Sequence, residues 1–188
     1  MANLTNACGG DFSRVIFLDE TGALTNLART HGRSDSGVRC VGSVPQGHWK
    51  VLTAVATVRL AGLKAPFTID CPVDGEIFQV YVEQVLVPTL QKGDVVVMDN
   101  LSAHKSPRIK KLIDSTGARV LYLPPYSPDL NPIEMVWSKV KRLLRSLAAR
   151  TIDALHDAFG QALAAVTTSD ILGCFQHCGY AMDESARL

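Results

Sequence analysis

Apolar residues change their spacing several times along this chain, and each change predicts an element. "RVIFLDETGAL" opens with an unbroken apolar run, Val15 to Asp19, that reads as a buried strand. Thr21 and Gly22 read as a turn into a second strand that reaches about Ala28. Residues 31–48, rich in Gly, Ser and Arg, read as a loop. "WKVLTAVATVRL" is dense in β-branched residues and predicts a third strand, and "APFTID" a further short one after Ala61-Gly62. From Asp74 the period becomes helical, through Ile77, Val80, Tyr81, Gln84, Val85 and Leu86. "KGDVVVMDN" is a turn and then a continuously apolar strand, the mark of a central strand buried on both faces. "SPRIKKLIDSTGA" predicts a short helix with Ser106 as N-cap, Pro107 first and Gly117 as its stop. "RVLYL" is one more strand. Helices over 132–149 and 151–166, the latter capped by Thr151, and a short one to about Tyr180 complete the pattern.

The early strands with tight turns suit an antiparallel meander, and the later ones alternate with helices and suit parallel pairing. The expected class is α/β, a mixed sheet flanked by helices. With 188 residues the chain fits one domain, expected over 13–180 between short tails at 1–12 and 181–188.

Apolar residues make up 47% and charged residues 20%, which suits a soluble globular protein. No apolar run approaches the roughly 20 residues of a membrane helix, so no membrane partner is expected. The N-terminal stretch lacks an apolar signal core, which argues against secretion. Five cysteines without a dense framework suit free thiols in a reducing compartment. In "CFQHC", helix packing explains Cys174 and Cys178 better than zinc does, because no second cysteine pair follows.

The net charge of +1 hides an uneven distribution. Residues 101–150 hold ten Lys and Arg against three acids, whereas residues 1–100 and 151–188 are net acidic. A basic middle block suits a polyanion; solvated helix surface explains it equally.

Three acids fall where chemistry gathers. Asp19 closes "VIFLD", Asp99 closes "VVVMD", and Glu134 lies in the first turn of the helix after the last strand. Taken singly, the first two read as turn residues and Glu134 as part of a capping box with Asn131. Converging, they would form a hard oxygen site suited to Mg²⁺ or Mn²⁺. Two such ions, roughly 3.5–4 Å apart, serve phosphodiester chemistry. The segment leading to Glu134, "YLPPYSPDLNPIEMVW", holds four of the nine prolines, far more than a corner requires.

Together "FLDETG", "VVVMDNLSAHK" and "LPPYSPDLNPIEMVWSKVK" resemble the DDE catalytic domain of IS630 transposases, in the Tc1/mariner superfamily, over roughly 13–180. Asp99 and Glu134 are separated by 34 residues, the DD34E pattern. The resemblance implies a ribonuclease H-like fold, and two Mg²⁺ or Mn²⁺ ions held by Asp19, Asp99 and Glu134. It implies double-stranded DNA as partner, with cleavage at transposon ends and joining of 3′-OH ends to target DNA, usually at TA. It also implies a homodimer on DNA and a bacterial, cytoplasmic, nucleoid-associated setting. Family members carry helix-turn-helix modules ahead of this domain, so a separate or frameshift-joined recognition part is expected. The alternative is a truncated or inactive remnant that binds DNA or a sister transposase without chemistry.

Around these acids, Glu20 is expected on the opposite strand face and outside the metal site. Asn100 and His104 would support the metal ligands or approach phosphate; a loop histidine bonded to backbone is the plainer alternative for His104. Asp129 reads as a turn acid. Lys139, Lys141, Arg142 and Arg145 on the 132–149 helix, and Lys105, Arg108, Lys110 and Lys111, are candidate phosphate contacts, with solvated surface and helix-dipole compensation as the competing readings. Lys141 and Arg145 continue the helical row that starts at Glu134 and Ser138.

Overall fold

The computed structural model describes Cys8 and residues 11–180. The expected tail 181–188 lies outside the described residues, as does 1–12 apart from Cys8, Asp11 and Phe12. Among the described residues five strands form one sheet: β1 (Val15–Leu24), β2 (Val51–Arg59), β3 (Gly62–Ile69), β4 (Val95–Met98) and β5 (Arg119–Tyr122). Their spatial order is β3-β2-β1-β4-β5. The first three pair antiparallel, and β4 and β5 add in parallel. This is the mixed α/β sheet that the pattern predicts.

One expectation fails. Thr21 and Gly22 do not turn; β1 runs on to Leu24, with Thr21 opposite Ala54 and Gly22 opposite Thr53. Eight residues of antiparallel pairing, Phe17 to Leu24, outweigh the local turn signal of one glycine. The chain leaves the sheet only after Leu24.

Among the described residues five α-helices cover the two faces: α1 (Gly75–Tyr81), α2 (Pro107–Asp114), α3 (Pro132–Leu147), α4 (Ile152–Ala164) and α5 (Thr168–His177). Asp74 caps α1 by accepting from the Glu76 and Ile77 amides. Beyond Tyr81 that helix loosens into a π turn, Val82–Leu86, and ends in a 3₁₀ turn containing Pro88. Strand alternation sorts the core. Phe17, Val95 and Val97 pack with Ile133, Val136, Trp137, Val140, Phe159 and Phe175 of α3 to α5. Leu18, Val96 and Met98 pack with Phe78, Tyr81, Ile109 and Ile113 on the other face. All four residues of β4 are buried, as expected of a central strand. Cys174 and Cys178 join the first core while His177 is exposed, so "CFQHC" is a packed helix face. Among the described residues no single helix is long and apolar enough to cross a membrane.

The helix that carries Glu134 ends on a strained residue. Ala148 adopts φ 51°, in the left-handed region, and its N–H bonds the Leu144 carbonyl. Glycine is favoured there, although it costs more entropy on folding. Ala148→Gly is expected to stabilise the domain by about 0.5–1 kcal/mol, read as a higher denaturation midpoint with an unchanged slope. A loss of stability would contradict this account of the α3 terminus.

Candidate active site

The sheet itself brings Asp19 and Asp99 together. Parallel pairing of β1 with β4 ends at Phe17 opposite Val97. Asp19, two residues on in β1, shares the face of Phe17 and so turns toward α3, and Asp99 stands just past the end of β4. Asp19 does not close its strand as expected. It lies mid-strand, opposite Ala56 of β2, at the point where β4 has ended on its other side. One flank of Asp19 is thus sheet and the other is open.

The proline segment supplies the third side. Leu123 continues β5 by donating to the Met98 carbonyl at 2.9 Å. The chain then crosses to a 3₁₀ turn, Pro128–Leu130, whose Leu130 carbonyl accepts from the Tyr180 hydroxyl. Asn131 follows and starts α3. Asp19, Asp99, Asn100, Asn131, Glu134 and residues 123–128 line one cleft of about 380 Å³. Asp129 is not among its lining residues, consistent with a turn acid. Tyr126, midway along this arm, has φ 56°, a backbone state that costs a non-glycine residue roughly 1–2 kcal/mol.

A capping box, the alternative reading of Glu134, is absent from the start of α3. Asn131 holds the N-cap position, but its side chain makes no capping hydrogen bond. Its Nδ2 instead donates to Asp19 Oδ2 at 2.9 Å. Asn131 is thus a site residue that helix reading mistakes for a local cap. The signal that marks it is the proline arm, which is stiffer than capping alone requires. The Asn131 Oδ1 is buried and has no hydrogen-bond partner among the described residues. The amide can therefore serve Asp19 in either state, through Nδ2 to a carboxylate or through Oδ1 to the protonated acid.

Asp19 is 6% exposed. Burial, then the charge of Glu134, push its pKa up to about 8, with smaller contributions from Glu20 and Asp99. The Glu20 amide, 2.8 Å from Asp19 Oδ1, opposes that shift. A bound cation would reverse the balance by favouring the charged form. All the donors are carboxylate or amide oxygens, and this hard set fits Mg²⁺ or Mn²⁺. Among the described residues no three His, Cys, Asp or Glu side chains already form a cage for one ion, so the three acids stand as an open set around the cleft.

Behind Asp99 lies a buried histidine. His104 Nδ1 is 2.6 Å from Asp99 Oδ1, and Nε2 is 3.1 Å from Glu20 Oε2. The ring also packs on Phe78, with centroids 4.2 Å apart. Both nitrogens face carboxylates, so both contacts are hydrogen bonds only when the ring is doubly protonated. Burial draws its pKa down, but Glu20, by hydrogen bond and charge, and then Asp99 outweigh it, and the net shift is upward. Glu20 does point to the opposite face, yet it reaches Asp99 through this ring. The strand pattern separates Glu20 from Asp19 and gives no sign of that link. The plain alternative for His104, a loop side chain bonded to backbone, does not describe these contacts.

The candidate phosphate contacts divide. Lys139 is half-buried and paired with Asp170 of α5, where it serves packing rather than an open surface. Lys110 pairs with Asp114 one turn along α2. Lys105, Arg108, Lys111 and Arg142 are exposed, and Lys141 is half-exposed. Arg145 lines a different groove, with Arg29, His31 and Arg150 beneath the 29–44 loop.

Asp19 makes metal-free stability depend on pH. The unfolded carboxyl titrates near 3.8 and the folded one near 8, so the cost of charging it is absent below the first value, grows between them and is full above the second. In EDTA, Asp19→Asn is expected to raise the unfolding temperature by a margin that widens from pH 4 to 8 and then levels. A margin independent of pH would contradict the buried charge.

A family model of DDE superfamily endonucleases matches residues 14–156. The chain is 30% identical over 95 residues to the Transposable element Tc1 transposase of Caenorhabditis elegans, an alignment covering 50% of this chain and 35% of that protein. Its fold matches a pre-cleavage Mos1 transpososome with TM-score 0.76 at 15% identity, over 95% of this chain and 57% of that one. A Mos1 mariner paired end complex with Mn matches with TM-score 0.70 at 14% identity, over 93% of this chain and 58% of that one. The chain therefore corresponds to part of the length of each. The fold is ribonuclease H-like, and the chain belongs to the DDE superfamily endonucleases.

Proposed function

We propose that this domain cuts double-stranded DNA at transposon ends and joins the freed 3′-OH ends to target DNA, with Asp19, Asp99 and Glu134 as the catalytic, metal-binding carboxylates. The observation that carries this reading is one cleft lined by acids from β1, the end of β4 and the first turn of α3. All three acids are intact, which speaks against an inactive remnant. When bound, a pair of Mg²⁺ or Mn²⁺ ions would activate the attacking oxygen and stabilise the leaving oxygen.

The protein's own part is positioning. Asn131 fixes the Asp19 carboxyl, His104 fixes that of Asp99 with Glu20 behind it, and the proline arm fixes the start of α3. The proposed roles of Asn100 and the exposed cations are contacts to phosphate near the cleft. A TA target, a homodimer holding two ends and a separate or frameshift-joined helix-turn-helix part extend this proposal. The narrower IS630 assignment rests on the Pro-rich motif and the DD34E spacing.

Metal-dependent cleavage and strand transfer on pre-cut ends tests the reading. Glu134→Gln is expected to fold normally, because the Glu134 side chain plays no part in capping α3. It should lose activity by more than the ~10–100-fold expected for the supporting variants Asn131→Ala and His104→Ala. Full activity in Glu134→Gln would refute the assignment of Glu134. The cations separate by salt dependence. Lys141→Ala is expected to flatten the slope of log affinity against log salt by ~0.9. Lys139→Ala should leave the slope and lower thermal stability, and an unchanged slope in Lys141→Ala would exclude its phosphate contact.

A further inference from the structure

Tyr126 is the most exposed large apolar side chain of the described residues, at 102%. Single exposed aromatics are ordinary, but this one combines three features. Its backbone is left-handed, at φ 56°, where glycine or asparagine would sit more easily. Pro124, Pro125 and Pro128 surround it, and their fixed φ angles hold the arm in shape. The residue lines the same cleft as Asp19, Asp99 and Glu134. Among the described residues its ring has no hydrogen bond or ring contact, so nothing within the fold offsets the strain. Across from the arm in sequence, Leu101 also lines the cleft and is 49% exposed. Its amide donates to Asp99 Oδ1 at 3.0 Å, which ties it to the same centre.

We propose that Tyr126 is a stacking platform for a nucleobase displaced from the duplex beside the phosphate being cut, with Leu101 as the second apolar contact. The inference rests on the reading of the cleft as a DNA-cutting site. A phosphate at the acids places its neighbouring base within the same cleft, and a volume of about 380 Å³ suits a ligand of nucleoside size. Stacking tolerates any base, since every base has a π-face. The prolines hold the backbone of the arm, so binding orders only the side chain. The left-handed backbone fixes the direction in which the ring leaves the arm.

The test uses a nicked duplex with 5-iodouracil unpaired beside the nick, bound in Ca²⁺ and irradiated, with the crosslink located by mass spectrometry. The expected crosslink is on Tyr126. Tyr126→Ala should lose it and bind this duplex about 10-fold more weakly, whereas Tyr126→Phe keeps the affinity. Because the ring touches nothing in the fold, both variants should show the wild-type unfolding temperature. A crosslink elsewhere with none on Tyr126, no crosslink at all, or Tyr126→Ala affinity within two-fold of wild type would overturn the proposal. Mn²⁺-dependent plasmid nicking is read in parallel. Crosslinking at Tyr126 without nicking by the wild type leaves the platform standing and removes the cutting reading. Nicking by wild type and Tyr126→Ala alike, with no crosslink, removes the platform alone.

Discussion

The hydrogen bond from Asn131 to Asp19 joins the two halves of this molecule. Asp19 belongs to the sheet and Asn131 to the arm that starts α3, 112 residues later. The bond fixes a buried carboxyl that would otherwise be left without its second partner, and it sets where α3 begins. Glu134 follows three residues on, so its place beside Asp19 depends on the same contact. The electrostatics agree: after burial, Glu134 is the largest cause of the raised Asp19 pKa.

The sheet contributes by ending unevenly. β4 stops at Met98 while β1 continues to Leu24 on β2 alone. That step exposes one flank of Asp19 and frees Asp99 from the ladder. Strand alternation then sends Asp19 toward α3 and Glu20 toward the other face. His104 reconnects the faces, with one ring nitrogen on Asp99 and the other on Glu20, and the Phe78 ring beneath. The acids thus rest on two supports, one from each side of the sheet. The concentration of negative charge that results is unfavourable in the bare protein and suited to a divalent cation.

Much of this could be read from spacing. Continuous apolar runs place β4 and β5, helical period and caps place α2 to α5, and the three acids stand at recognisable ends. Thr21-Gly22 misleads because a glycine marks a turn only when no neighbouring strand claims it, and β2 does. Asn131 and Lys139 mislead for a different reason. Each has a sound local reading, and each is decided by a partner 112 or 31 residues away. Local pattern describes a residue's surroundings along the chain, whereas a site is assembled across it. The proline arm was the visible trace of that assembly, since it fixes a direction that no local interaction requires.

The central claim is that Asp19, Asp99 and Glu134 face one divalent-metal site. Anomalous diffraction from a crystal soaked in Mn²⁺ tests it without reference to activity. The account predicts Mn²⁺ peaks in the cleft, with Asp19 and Asp99 among the ligands of at least one ion and Glu134 turned toward the pair. Saturating Mn²⁺ that leaves the cleft empty, or that binds only elsewhere on the chain, would contradict it.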